Sequence, residues 1–240
     1  MKKIKIIGSL VLVVFICIGG YFLYKKDDYS YYLALGDYMS NKQVLNDKEI
    51  ESFSSFLGEY LMEAKEVNEV NHGYLKNNMT SKKLLEMIEK DSYKIDNSSL
   101  VDLIKKSKYI TISLGMNDIL GQIKYDSVNN ELIYDKGLIN NRIEVFKHNY
   151  HEIVEEIKDL NRDASVILIG CYSIYGDKEI SSLINSAISE VSIESSSYYV
   201  DLNEITDRYM YSENELYLNN IGQEFVYNKV VSLLEEIEKK

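Results

Sequence analysis

The chain reads as an α/β protein, a three-layer α/β/α sandwich around a five-stranded parallel sheet. Three observations predict it. Short apolar runs recur along the chain with almost no polar interruption, as strands buried on both faces require. Segments with apolar residues at helical spacing separate them. The alternation of the two is the signature of crossover connections between parallel strands.

The first strand is expected at Tyr31 to Leu35, where YYLAL runs into the turn-forming pair Gly36-Asp37. SFSSFLGEYLMEA follows, with Phe53, Phe56, Leu57, Tyr60 and Leu61 on one side of a helix. Val67 to Val70 is the second strand, and SKKLLEMIE, with Leu84, Leu85 and Ile88, the second helix. Tyr109 to Leu114 gives the third strand. Phe146, Tyr150, Ile153, Val154 and Ile157 mark a long helix from Ile143 to Leu160, ahead of a fourth strand at Val166 to Ile169. A shorter helix from Ser181 to about Val191 leads to the last strand, Tyr198 to Val200. A final helix carries Phe225, Val226, Val230, Leu233, Leu234 and Ile237. The segment Gly121 to Asn140 breaks the rhythm: it is expected to be a surface excursion with a hairpin turn at VNNEL, suited to a lid or partner contact.

Ahead of this domain, residues 27 to 240, stands a different kind of segment, residues 1 to 26. Lys2, Lys3 and Lys5 precede an apolar stretch from Ile6 to Tyr24, with Lys25 and Lys26 behind it. At about 1.5 Å per residue that stretch spans roughly a hydrocarbon core, so it predicts a single-pass membrane anchor. A cleaved signal peptide and a lipidated Cys17 are the competing readings. The missing Ala-x-Ala site argues against the first, and bulky Phe15 and Ile16 argue against the second. Basic residues before the span hold the amino end in the cytoplasm, which predicts an extracytoplasmic domain at the cell membrane.

Composition excludes several functions. Setting aside the five lysines of residues 1 to 26 leaves 22 basic against 38 acidic residues, a formal charge of -16. Such a surface disfavours nucleic acid and anionic head groups. No glycine spacing suits a nucleotide or dinucleotide, so no cofactor is expected. Metal ligation is not expected either, because His72, His148 and His151 are the only histidines and no third ligand accompanies the closest pair. Cys17 and Cys171 make no disulfide framework, and Cys171 reads as a small buried hydrophobe. The chain has 21 tyrosines with neither proline nor tryptophan, a bias without functional weight by itself.

Three segments bear on chemistry. YYLALGDYMS (31 to 40) ends the first strand at Gly36 and Asp37, and TISLGMNDI (111 to 119) ends the third at Gly115, Asn117 and Asp118. ELYLNNIGQEFV (215 to 226) leads into the last helix. Together they resemble blocks I, III and V of the SGNH or GDSL serine esterases and lipases, and most closely the membrane-anchored members of Gram-positive bacteria. The resemblance runs from about residue 30 to 238 and implies the flavodoxin-like fold of that family.

It also implies where catalytic residues should stand. The block I serine position falls on Tyr38, with Ser40 two residues on and pointing elsewhere. Asn219 and Gly222, used as anchors, put Tyr217 at the histidine and Asn214 at the aspartate. The block II glycine, an oxyanion donor in the family, falls near Asn78, with Lys76 as its rival; Asn71 and Thr80 match more comfortably. Only block III is retained, with Asn117 aimed into the pocket and Asp118 bracing the loop.

A serine esterase needs a base near neutral pKa and a carboxylate to hold it. A phenol with pKa near 10 is not that base, and an amide at Asn214 does not stabilise a cationic partner. A one-residue register error, which would bring in Glu213 or Glu215, restores a carboxylate but no imidazole. The expectation is therefore a hydrolase-like domain without serine-esterase activity, acting in binding or scaffolding at the cell envelope. The alternative is an ester hydrolase, a lipase, esterase or carbohydrate deacetylase, with a non-standard arrangement such as one using His72. A pocket lined by Tyr38, Asn117, Asn214 and Tyr217 suits an envelope glycan or acyl-bearing ligand if open; if closed it suits a structural domain that meets an envelope protein. Hydrogen bonds between Tyr38 and Tyr217, or from either to Asn117, are expected.

Overall fold

A computed structural model describes residues 30–45, 48–95, 97–129, 131–173, 178–211 and 217–239. The anchor segment with Cys17, and the 212–216 stretch that holds Glu213, Asn214 and Glu215, lie outside the described residues. Among the described residues no helix is long and apolar enough to cross a membrane.

Five parallel strands form the central sheet: β1 (Tyr31–Gly36), β2 (Glu69–Asn71), β3 (Ser107–Ser113), β4 (Ser165–Ile169) and β5 (Tyr198–Val200). Their order across the sheet is β5-β4-β3-β1-β2. This is the doubly wound arrangement, in which the chain leaves β1 toward one edge and leaves β3 toward the other. The crevice therefore opens at the carboxyl ends of β1 and β3, which pair in register from Leu33 opposite Ile110 to Gly36 opposite Ser113. Every residue of β1 is buried, as are the last five of β3, which explains their uninterrupted apolar spelling. Two of the polar groups this arrangement traps bond to each other, Tyr32 Oη to Thr111 Oγ1 at 2.8 Å.

Two groups of helices flank the sheet. α1 (Phe53–Glu63) packs against α6 (Asn220–Glu238); α2 (Ser81–Lys90), α4 (Lys136–Leu160) and α5 (Lys178–Glu194) pack in series, with the short α3 (Leu100–Lys106) against α4. Side-chain caps set most of their starts. Ser52, Thr80, Ser99 and Asp135 each accept a backbone N–H three residues on, and Asn219 accepts from Gly222.

The five strands and five helices expected from the sequence are all present, and the differences have local causes. β2 begins two residues later than expected. Val67 and Glu66 donate back to Leu61 O as α1 unwinds, and Asn68 then picks up Ser30 O, so pairing with β1 starts at Glu69. α4 begins at Lys136 because Asp135 caps it, so the tail of the Gly121 to Asn140 excursion is helical. Its middle is a hairpin, Lys124–Asp126 against Glu131–Ile133.

Candidate functional site at the carboxyl edge of the sheet

Gly36 closes β1 with φ +132°, and a Cβ there would stand 2.1 Å from Ser113 O. Only glycine lets the two strands end this close together. Ser113 O then accepts the Asp37 amide at 3.1 Å, and Asp37 Oδ1 accepts the Met39 amide at 3.1 Å, so the chain turns tightly over the end of the sheet.

That turn decides which way each side chain faces. Ser40 is fully buried, with its Oγ 2.5 Å from Ser113 Oγ and its carbonyl accepting from Ser54 Oγ. It faces the sheet, in a different direction from Tyr38, as the sequence suggests. Tyr38 stands at the crevice and is 5 % exposed. Its ring meets Tyr217 edge to face, with centroids 5.4 Å apart and planes at 78°. Its hydroxyl pairs with that of Tyr172, just beyond β4.

The expected polar bridge from Tyr38 to Tyr217 or Asn117 is thus replaced by a ring contact and a different phenol. Asn117 is occupied elsewhere: its Nδ2 donates to Asn77 O and Met79 O, both at 2.9 Å. Both amide hydrogens hold the loop after β2, and neither is directed at the tyrosines. Asp118 braces that loop, accepting Ser81 N–H and, at 2.6 Å, Ser81 Oγ. Gly115, with φ +124°, lets the chain pass where a Cβ would come 2.6 Å from Ile184 Cγ2.

Of the two candidates for the block II position, Lys76 lies against the end of β1. Leu75 bridges to Gly36, and the Lys76 amide donates to Gly36 O at 3.1 Å. Asn78 is exposed, two residues on, with its carbonyl taken by Lys83 Nζ. The Lys76 amide, bonded to Gly36 O, is therefore not a free donor to the crevice. Asn77 ties this loop to the turn that follows β1, its Oδ1 accepting from Asn41 Nδ2 at 2.8 Å.

What remains between these groups is a cavity of about 10 Å³, lined by Asp37, Tyr38, Met39, Met116, Cys171 and Tyr172. That is about the room of one water molecule. No imidazole and no cation is among the lining residues. Burial pushes the Tyr38 and Tyr172 phenols and the Cys171 thiol well up, and the nearby Asp37 carboxyl adds to each shift. Asp37 itself is 2 % exposed and raised to about 7, first by burial and then by Asp118. The two phenols and the thiol stay protonated at neutral pH, and no imidazole lines the cavity to take their protons.

His72 is not part of this cluster. It lines a separate groove with Glu51 and Ser55, its Nε2 is 3.2 Å from Ser54 O, and burial lowers its pKa. Among the described residues no group of His, Cys, Asp and Glu is arranged to hold a metal ion. Tyr172 and Asn77 were not singled out by sequence. Asn77 neighbours the block II anchors and was within reach of that reading, whereas Tyr172 follows β4 without any local pattern.

No protein-family model matches the chain, and no curated protein sequence does. Solved structures do. A lipase from a goat rumen metagenome superposes with a TM-score of 0.63 at 17% identity, covering 85% of this chain and 96% of that one. The lipase/acylhydrolase from Enterococcus faecalis gives 0.58 at 16%, covering 86% and 96%. A family 3 carbohydrate esterase from Talaromyces cellulolyticus gives 0.58 at 12%, covering 88% and 99%. The architecture is a doubly wound parallel sheet between two helical layers. More narrowly, it is the fold shared by these solved structures and by structures described as GDSL-like or G-D-S-L family lipolytic proteins, over nearly their whole length.

Proposed function

We propose that this chain is a hydrolase-fold domain without serine-esterase activity that serves as a binding or scaffolding module at the cell envelope. The observation that carries the reading is the filled crevice. Where a serine esterase needs room for a carbonyl carbon and its oxyanion, Tyr38, Tyr172 and Tyr217 meet over a space of about 10 Å³. The groups present there include no imidazole, the Asp37 carboxyl is engaged by the Met39 amide, and Asn117 is committed to two backbone carbonyls. With the crevice closed, the domain acts through its acidic exterior toward an envelope protein in preference to holding a glycan or acyl chain at the sheet edge. The apolar stretch Ile6 to Tyr24 would keep it at the membrane, with the folded part on the outer side.

The test is incubation of the full chain with short p-nitrophenyl esters and with a fluorophosphonate probe. Turnover at the level of the buffer and no covalent label are expected. Labelling of Ser40, or turnover that disappears in His72→Ala, would overturn the reading in favour of an ester hydrolase with a non-standard arrangement. A variant carrying Tyr38→Ser, Asn214→Asp and Tyr217→His, assayed alongside, reports on the residue mapping. Any gain over wild type would identify these three as the positions where the chemistry was lost.

A further inference from the structure

On the outer seam between α1 and α6 lies a second cavity, of about 210 Å³, unconnected with the sheet edge just described. Its walls are three aromatic rings, Phe56, Tyr60 and Tyr227, and three carboxylates, Glu59, Glu63 and Glu224. We propose that it binds a small alkylated ammonium cation.

The rings are set as a cage. Tyr227 on α6 stands across both α1 rings, 6.0 Å from Phe56 with planes at 66° and 6.3 Å from Tyr60 with planes at 73°. They stand at the rim of the helix pair, with Tyr60 and Tyr227 resting against the core. Phe53, Leu57 and Leu61 of α1 and Val226, Val230 and Leu234 of α6 are fully or almost fully buried inside it, while the three cage rings stay half-exposed. Ring faces attract cations through their quadrupole, most strongly cations whose charge is weakly hydrated.

The carboxylates supply the complementary charge. Glu59 and Glu63 are one turn apart on α1, and Glu224 shares α6 with Tyr227. None of the three forms a salt bridge among the described residues. Lys229, the basic residue of α6, is turned away to Glu204 and the Phe225 ring. No lysine or arginine among the described residues lies over Phe56 or Tyr227. The Tyr227 phenol is pushed up by burial and then by Glu63 and Glu224, which places both negative charges close to that wall. Three like charges around one aromatic hollow, with no counter-ion paired to them among the described residues, define a receptor for a cation. The volume lies below the range of about 300–1,000 Å³ usual for drug-sized ligands, which suits a single head group. Glu59 and Glu63 also line the neighbouring groove of about 580 Å³, which leaves room for whatever the head group is attached to.

Choline and its uncharged carbon isostere, 3,3-dimethylbutan-1-ol, separate charge recognition from shape. The full chain is titrated with each by calorimetry, with sodium chloride matching the ionic strength of choline chloride. Saturable choline binding is expected, about tenfold or more tighter than the isostere. Tyr227→Ala should weaken it about tenfold, and the double variant Glu63→Gln and Glu224→Gln several-fold. The two glutamates are exposed, so the double variant keeps the wild-type melting temperature and reads the site apart from folding. Absence of saturation below about 100 mM choline, equal binding of the isostere, or unchanged affinity in both variants would overturn the proposal.

Discussion

Asp37 is a carboxyl group held where water scarcely reaches, and that has a measurable cost. Its pKa is raised to about 7 by burial, with Asp118 adding to the shift. The neighbours lining its cavity, Tyr38, Met39, Met116, Cys171 and Tyr172, include no cation to offset the charge. A carboxyl whose folded pKa lies above its unfolded value of about 3.9 contributes fully below that unfolded value and loses the contribution as pH rises through about 7. About three pH units correspond to at most about 4 kcal/mol. Asp118 is shifted in the same direction, again by burial, so it steepens the same limb. Urea unfolding should therefore show wild type losing stability between about pH 4 and 7, with little further loss from this group above. Asp37→Asn, which keeps the acceptor for Met39 N–H, should lose markedly less. Identical slopes for the two proteins would mean that Asp37 is not the titrating group.

The turn between the short β bridge at Met210–Leu218 and α6 depends on one amide. Asn219 caps α6 through Gly222 N–H at 2.9 Å, while its Nδ2 donates to Arg208 O and Met210 O at 2.9 and 2.8 Å. Asn219→Ala removes all three bonds, and a lost cap alone costs about 0.5–2 kcal/mol. The expected loss is at or above the top of that range by chemical denaturation, with Asn219→Asp recovering the cap but not the two donated bonds. The sequence reading uses this residue to place the block V positions, and its three bonds give it a structural task of its own.

Elements with a strong period were equally legible. β1 and β3 are buried along nearly their whole length, and α2 has a sharply divided polar and apolar face, so composition alone marks them. α3 was missed because LVDLIKK makes barely two turns, too few for a period to register, and its start rests on the Ser99 cap. At the site, Tyr38 could be placed because its position follows directly from a strand end. Tyr172 could not, because its relevance comes from the pairing of β4 with β3, a tertiary fact absent from any window of sequence.

At the scale of the molecule, the sequence carries a net charge of -11. A chain so far from neutrality repels itself in the compact state, and added salt screens that repulsion over a Debye length of about 10 Å at 0.1 M. The surface pairs that exist, such as Lys82–Glu86 and Lys90–Glu86, are exposed and contribute little by themselves. The melting temperature is accordingly expected to rise between about 10 and 200 mM sodium chloride. A fall would mean that attractive pairs outweigh the net repulsion.

The double donation from Asn117 has a consequence for judging surviving activity in chains of this architecture. An asparagine that fastens the Asn77–Met79 loop to the end of β3 is useful to folding whether or not any ester is ever cleaved. Mutational loss at this position would look the same in a working enzyme and in a retired one. Counting retained motif letters therefore does not by itself measure chemistry. The discriminating observation is the direction in which the amide hydrogens point, and in this chain they point at the backbone.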